Sequence, residues 1–206
     1  SRRPQPAMAA DTLRVGGLVP LTSIDYPGEL AAVVFTQGCA WRCVYCHNPD
    51  LLPARGDSEI PWSQIIEFLD NRRGLLDAVV FSGGEPTFQA ALPQAIEQVR
   101  DMSFKIGLHS AGIYPRKLER LLPLIDWIGL DVKARQADYH LITRTRDSGE
   151  AAWHSAELVL ASGVPHQFRI TAHPDWLDGS DAQWVRQRLL AMGASSVVIQ
   201  QGRLHG

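Results

Sequence analysis

The sequence predicts an α/β fold, an incomplete and laterally open (β/α)6 TIM-like barrel, on three observations. Apolar, β-branched runs alternate with longer stretches of helical period, the pattern of a parallel sheet covered by helices. About six such β/α units fit into 206 residues, whereas a full eight-unit barrel usually takes about 250. A polar or glycine-rich cluster also follows each of the first five expected strands, and chemistry in such folds sits at the carboxyl ends of strands. An open side would admit something large.

Taken in order, the first strand is expected at 31–36 (A-A-V-V-F-T), with the cysteine-rich C-A-W-R-C-V-Y-C behind it. A helix at 63–73 leads to a strand at 78–82, which S-G-G-E-P follows. The helix at 89–101 and the strand at 104–109 end in H-S-A-G, and the helix at 115–122 and the strand at 127–131 end in D-V-K. A helix at 151–161 and a strand at 166–171 run into T-A-H-P; a helix at 181–192 and a strand at 196–200 complete the series. Five independent signals therefore fall on one rim. The chain shows no close internal repeat, no low-complexity region and no Pro/Gly/Ser linker long enough to divide it.

Hydrophobic residues make up 45% and charged residues 20% of the chain, ordinary for a soluble globular protein with one sizeable core. A single domain over 17–206 is expected. The net charge of −2 gives no electrostatic reason for a nucleic-acid or acidic-membrane partner. No run of eighteen apolar residues is present, so no membrane span is expected. The opening S-R-R-P-Q-P-A-M-A-A-D carries a twin arginine without an apolar stretch behind it, so residues 1–16 read as a disordered tail, not an export signal. A cytoplasmic location follows. Three clustered cysteines cannot build a disulfide framework, since an odd number leaves one over and close neighbours staple almost nothing; a reducing compartment is expected.

Cys39, Cys43 and Cys46 are the only cysteines. Three soft thiolates in eight residues can hold one metal centre and leave it a ligand short, which is where a substrate can enter. Other readings exist. His47 would complete a Cys3His zinc site, although zinc usually joins two separated knuckles. Cys43 to His47 reads C-V-Y-C-H, the pattern of covalent c-type haem attachment, which needs an exported protein and leaves Cys39 unused. Three inert buried thiols are the plainest option. The fourth is a [4Fe-4S] cluster on three thiolates with one iron open to an exogenous ligand.

The C-x-x-x-C-x-x-C spacing, with Tyr45 before the last cysteine and S-G-G-E-P after the next strand, resembles the signature of the radical S-adenosylmethionine (SAM) superfamily. S-I-D-Y-P-G at 23–28, F-T-Q-G-C at 35–39, Y-C-H-N-P at 45–49, D-V-K at 131–133 and F-R-I-T-A-H-P at 168–174 narrow the likeness. Together they are similar to the activating enzymes of glycyl radical enzymes, most of all to the short activating proteins of anaerobic ribonucleoside-triphosphate reductases. The likeness runs from about Gly17 to the end of the chain.

The resemblance implies a partial barrel of the radical SAM type, a [4Fe-4S] cluster on Cys39, Cys43 and Cys46, and SAM chelating the open iron through its amine and carboxylate. Reductive cleavage then gives methionine and a 5′-deoxyadenosyl radical, which abstracts hydrogen from the target. A glycyl radical enzyme is the implied substrate protein, and flavodoxin or ferredoxin the implied electron donor. Alternatives are a radical SAM enzyme for a small nucleotide-like substrate and a non-catalytic Cys3His zinc module.

Gly83 and Gly84 offer backbone without side chains to a small zwitterion, and Glu85 suits its ammonium; a plain strand-to-helix turn would use the same residues. Asp131 and Lys133 lie two apart and so face the same way from a strand end; a solvated ion pair is the alternative. By resemblance Lys133 meets the methionine carboxylate, Asp131 the ribose or an intermediary group, Tyr45 and His47 lie near the adenine, and Ser110 contacts SAM. His109 stands where the pyruvate formate-lyase activases have an acidic residue. Arg169 and His173 are placed to meet SAM or the target, and Asp25 and Tyr26 to shape the floor or entrance.

Overall fold

The computed structural model describes residues 9–202. Its elements are β1 (Val15–Thr22), β2 (Ala31–Thr36), α1 (Trp62–Asp70), β3 (Ala78–Gly83), α2 (Leu92–Asp101), β4 (Lys105–Ser110) and α3 (Pro115–Leu121). They continue as β5 (Trp127–Asp131), α4 (Tyr139–Thr143), α5 (Ser148–Ser162), β6 (His166–Ala172), α6 (Gly179–Ala191) and β7 (Val197–Gln201). The strands form one sheet in the order β1 to β7, with β1 antiparallel to β2 and every other pair parallel. β1 and β7 are its two edges, so the sheet curls without closing. The six expected strands are β2 to β7, joined by five helical crossovers.

The pleat sorts the strand residues into two cores. Ala32, Val34, Val79, Phe81, Ile106, Leu108, Ile128, Leu130, Phe168 and Ile170 face the helices in one large buried cluster. The opposite face carries a small one, Ala31, Val33, Ala78, Val80, Tyr26 and Trp127. Tyr26 stacks on Trp127 at 5.2 Å between ring centroids, and this pair fills the amino-terminal end of the barrel interior. The carboxyl end above it is left for polar groups.

Two expectations need correction. Residues 1–8 of the anticipated tail lie outside the described residues, but 9–16 are folded. Leu13 and Val15 are buried, Arg14 Nη1 donates to both carboxylate oxygens of Glu59 at 2.8 and 2.9 Å, and Val15 bridges to Ile60. Two apolar side chains in the core and an ion pair outweigh the local composition. The helix expected from residue 89 starts instead at Leu92, because Gln89 is used elsewhere. Its side chain accepts from Arg14 N–H at 2.8 Å and donates to the carbonyls of Arg14 and Gln37 at 2.7 and 2.9 Å, tying the start of β1 to the end of β2. Residues 203–206 lie outside the described residues.

Candidate active site

The loop after β2 presents all three cysteines to one cavity at the carboxyl end of the sheet. Gly38 N–H donates to Leu51 O at 2.8 Å and Cys39 N–H to Leu52 O at 3.1 Å, which anchors its first arm. Arg42 N–H to Thr143 O at 3.1 Å and Val44 N–H to Ile142 O at 3.0 Å anchor the second arm on the end of α4. Trp41 is buried against Tyr139 in an edge contact of 5.9 Å, and Tyr45 stacks on His173 at 6.0 Å. The loop is thus packed from both sides while its thiols stay half-buried and free of disulfides. Burial pushes the Cys39 thiol up to about 11 and raises that of Cys43, so a metal centre must displace their protons on binding.

Among the described residues no three His, Cys, Asp or Glu side chains gather as one ion would hold them. A Cys3His zinc site is therefore not preformed. Cys39, Cys43 and Cys46 line one cavity together, a thiolate set of the kind that holds an iron–sulfur cluster.

Tyr45, His47, Gly83, Gly84, Ser110, Asp131 and Lys133 line the same cavity, joined by Ser82 and His109 and by Asn48 and Thr171. Lys133 is nearly enclosed, its side chain 12% exposed, whereas that of Asp131 is 49% exposed and approaches it at 3.7 Å. The ammonium also lies 5.6 Å from the Tyr45 ring, a cation–π distance. Burial opposes the charge on Lys133, but Tyr45, Asp131 and Cys43 outweigh it and hold its pKa above the ordinary lysine value. The result is one enclosed, fixed cation facing a cavity lined by thiols, polar side chains and glycine backbone. Its own backbone N–H donates to Tyr139 Oη at 2.8 Å, a support the sequence did not announce because Tyr139 sits in a five-residue helix.

Glu85 is placed differently from its neighbours. It is buried behind the cavity wall and absent from its lining, with Ser110 Oγ donating to its carboxylate and Ala111 N–H reaching it at 3.3 Å. Ser110 in turn accepts from Gly112 N–H at 3.0 Å, so Glu85 fixes the H-S-A-G turn. Burial raises the Glu85 carboxyl to about 7. A raised folded-state pKa means the contribution to stability is complete below the unfolded value and is lost as pH rises through 7. Glu85→Gln should therefore remove a decline of about 3 kcal/mol between roughly pH 5 and pH 8, read as the wild-type minus variant difference in urea unfolding. Parallel pH profiles would show that the carboxyl does not titrate there.

His109 bridges Ser82 Oγ at 3.1 Å through Nδ1 and the Asp25 carbonyl at 2.9 Å through Nε2. A carbonyl only accepts, so Nε2 carries the proton and Ser82 donates to Nδ1. Burial and the nearby Arg169 lower its pKa and keep it neutral. His109 thereby pins the 23–28 loop, with Asp25 and Tyr26, beneath the cavity as its floor, at the amino-terminal end of the barrel interior. Arg169 turns from the cavity to lie 5.4 Å from the Trp127 ring, its Nε donating to Gln167 at 3.2 Å, and His173 supports Tyr45 from behind.

The radical SAM superfamily family model matches residues 33–182. A Methanocaldococcus jannaschii protein provisionally named a glycyl-radical enzyme activating enzyme is 36% identical over 178 residues, 82% of this chain and 72% of its own length. The pyruvate formate-lyase-activating enzyme of Streptococcus mutans is 32% identical over 187 residues, 82% of this chain and 70% of its own length. Among solved structures, Streptococcus suis SuiB bound to S-adenosylmethionine superposes on 82% of this chain with a TM-score of 0.64, at 14% identity. The chain spans about two fifths of that protein, 39%, and the likeness is one of fold. The chain belongs to the radical SAM superfamily, in the branch of the activating enzymes of glycyl radical enzymes.

Proposed function

We infer that this protein cleaves S-adenosylmethionine reductively and uses the radical to install a glycyl radical on a large partner enzyme. One observation carries the reading: three free thiols and one enclosed lysine share a cavity at the mouth of a barrel that is open along its side. The cofactors of the family are a [4Fe-4S] cluster and SAM, and together they supply one-electron cleavage to a hydrogen-abstracting radical. Cys39, Cys43 and Cys46 would hold the cluster. Lys133 would meet the carboxylate of SAM as a buried, permanently charged partner, with Asp131 on the exposed side for a hydroxyl. Ser110 is held in place by Glu85, and Gly83 and Gly84 leave the backbone uncovered there. Tyr45 closes the wall against water.

The open seam between β1 and β7 suits a macromolecular loop better than a small molecule, which a closed pocket would hold. Among the described residues no helix is long and apolar enough to cross a membrane, and three free cysteines suit a reducing cytoplasm. The test is anaerobic: the reconstituted protein, SAM and a reductant are mixed with candidate glycyl radical enzymes, and spin resonance should show an organic doublet on one of them. Lys133→Ala should keep its iron but bind SAM at least about tenfold more weakly by calorimetry. Iron loss in that variant would make Lys133 structural, and SAM turnover without any radical on a protein would point to a small substrate.

A further inference from the structure

Lys133 is charged and enclosed, yet its ammonium does not fix its own place. The carboxylate of Asp131 stands 3.7 Å from Nζ, beyond hydrogen-bond length. What holds the residue is its main chain, which runs past the end of β5 and leaves the sheet ladder. Val132 N–H still reaches Arg169 O at 2.9 Å, and the next donor along, Lys133 N–H, goes to Tyr139 Oη at 2.8 Å.

Tyr139 opens α4, a helix of five residues, and is fully buried. Burying a hydroxyl costs free energy unless it is hydrogen-bonded, and phenylalanine would fill the same space without that cost. Among the described residues the Tyr139 hydroxyl has one hydrogen-bond partner, and it is Lys133. The same short helix holds the cysteine loop. Its Tyr139 ring meets Trp41 edge-on at 5.9 Å, and its Ile142 and Thr143 carbonyls accept from Val44 and Arg42 N–H at 3.0 and 3.1 Å. α4 is itself braced, since Thr143 Oγ1 donates to Tyr139 O at 3.1 Å and lies 2.7 Å from Ser148 Oγ at the start of α5. One element thus grips the end of β5 by a phenol oxygen and the loop after β2 by a ring and two carbonyls.

We propose that Tyr139 is a positioning residue for SAM, whose phenol oxygen sets how far the Lys133 anchor stands from the cysteine loop. The proposal rests on the function inferred above and assigns the phenol no chemistry of its own. Lys133 and the three cysteines come from different strand ends, so nothing local in the chain keeps them in register. A rigid element bonded to both does. Displacing reacting groups by about 1 Å can cost about a hundredfold in rate, so a brace on the anchor acts on turnover more than on binding.

The test compares Tyr139→Phe with the unmutated full chain. The variant keeps the ring against Trp41 and removes the acceptor alone. In the protein without its cluster, hydrogen exchange of the Lys133 amide should speed up at least about tenfold, while the Arg42 and Val44 amides change less than about threefold. After anaerobic reconstitution the iron content should match wild type, the SAM dissociation constant by calorimetry should rise about fivefold, and 5′-deoxyadenosine formation at saturating SAM should fall about tenfold or more. The deciding comparison is a double-mutant cycle with Lys133→Ala. In that background Tyr139→Phe should change SAM affinity less than about twofold, because both residues act through one contact. Independent, multiplying losses overturn the proposal, as does an unchanged Lys133 amide. Faster exchange at Arg42 and Val44 as well would make Tyr139 a packing residue of α4 and overturns it too. Trp153→Phe is the control for general loosening, since it removes the donor to Ala134 O at 3.1 Å and leaves the Lys133 amide bonded; an equal loss of SAM affinity there also counts against Tyr139. Failure of the unmutated protein to bind SAM counts against the inferred function itself, whereas the exchange result reads the brace without it.

Discussion

Alanine in place of Cys39, Cys43 or Cys46, one at a time, abolishes 5′-deoxyadenosine formation by the dithionite-reduced protein. The expectation follows from the number of ligands. A cube anchored by three thiolates already leaves one iron open, and removing another opens a second corner to solvent and to cluster loss. No other cysteine exists to take over. The loop itself should survive, because its anchors are main-chain bonds to Leu51, Leu52, Ile142 and Thr143 and the buried rings of Trp41 and Tyr45, not the thiols. Each half-buried thiol contributes little to packing, so urea unfolding of the apo variants should stay within about 1 kcal/mol of wild type. Loss of turnover with retained stability separates ligation from folding. Continued 5′-deoxyadenosine production by any of the three would remove that cysteine from the ligand set.

How much of this was legible in the sequence depends on what held each residue in place. β2 and β5 occupy 31–36 and 127–131 as the sequence predicts, and β3, β4, β6 and β7 differ only by a residue at their ends. Those strands are covered on the helix side by one continuous core, so their apolar runs are unbroken and easy to read. β1 escaped because V-G-G-L-V-P-L-T contains two glycines and a proline, which argue against a strand. At a sheet edge, where one side is unpaired, proline is tolerated. The rim signals were readable for the opposite reason: loop residues at strand ends are not fixed by packing, so cysteines, glycines and charges there stand out. What could not be read was direction. S-G-G-E-P suggested a glutamate open to a ligand, yet Glu85 turns inward to Ser110 and Ala111. Arg169 likewise turns to Trp127. Both choices are made by neighbours distant in sequence.

Gly84→Ala is expected to damage the protein through its backbone, and this is the second large effect. Gly84 N–H donates to Thr36 O at 3.0 Å, which draws the end of β3 against the end of β2. A Cβ there would stand 2.4 Å from the carbonyl oxygen of Gly38 and 2.7 Å from that of Leu51. Neither atom belongs to a flexible side chain that can swing aside. Gly38 and Leu51 are bonded to each other, Cys39 follows directly, and Glu85 N–H donates to the same Gly38 carbonyl at 2.9 Å. One methyl group therefore pushes on the segment that sets the position of Cys39. Overpacking of this kind costs about 1–3 kcal/mol, and the cysteine loop is where the strain would be relieved. The variant should unfold at lower urea concentration and retain substoichiometric iron after reconstitution. Gly179→Ala is the control, since a Cβ at the start of α6 meets nothing within 4 Å, and it should be neutral or slightly stabilising. Equal stability and full iron in Gly84→Ala would mean that the two loops move apart freely. In that case the two glycines would be there for the ligand alone and not for the contact between β3 and the cysteine loop.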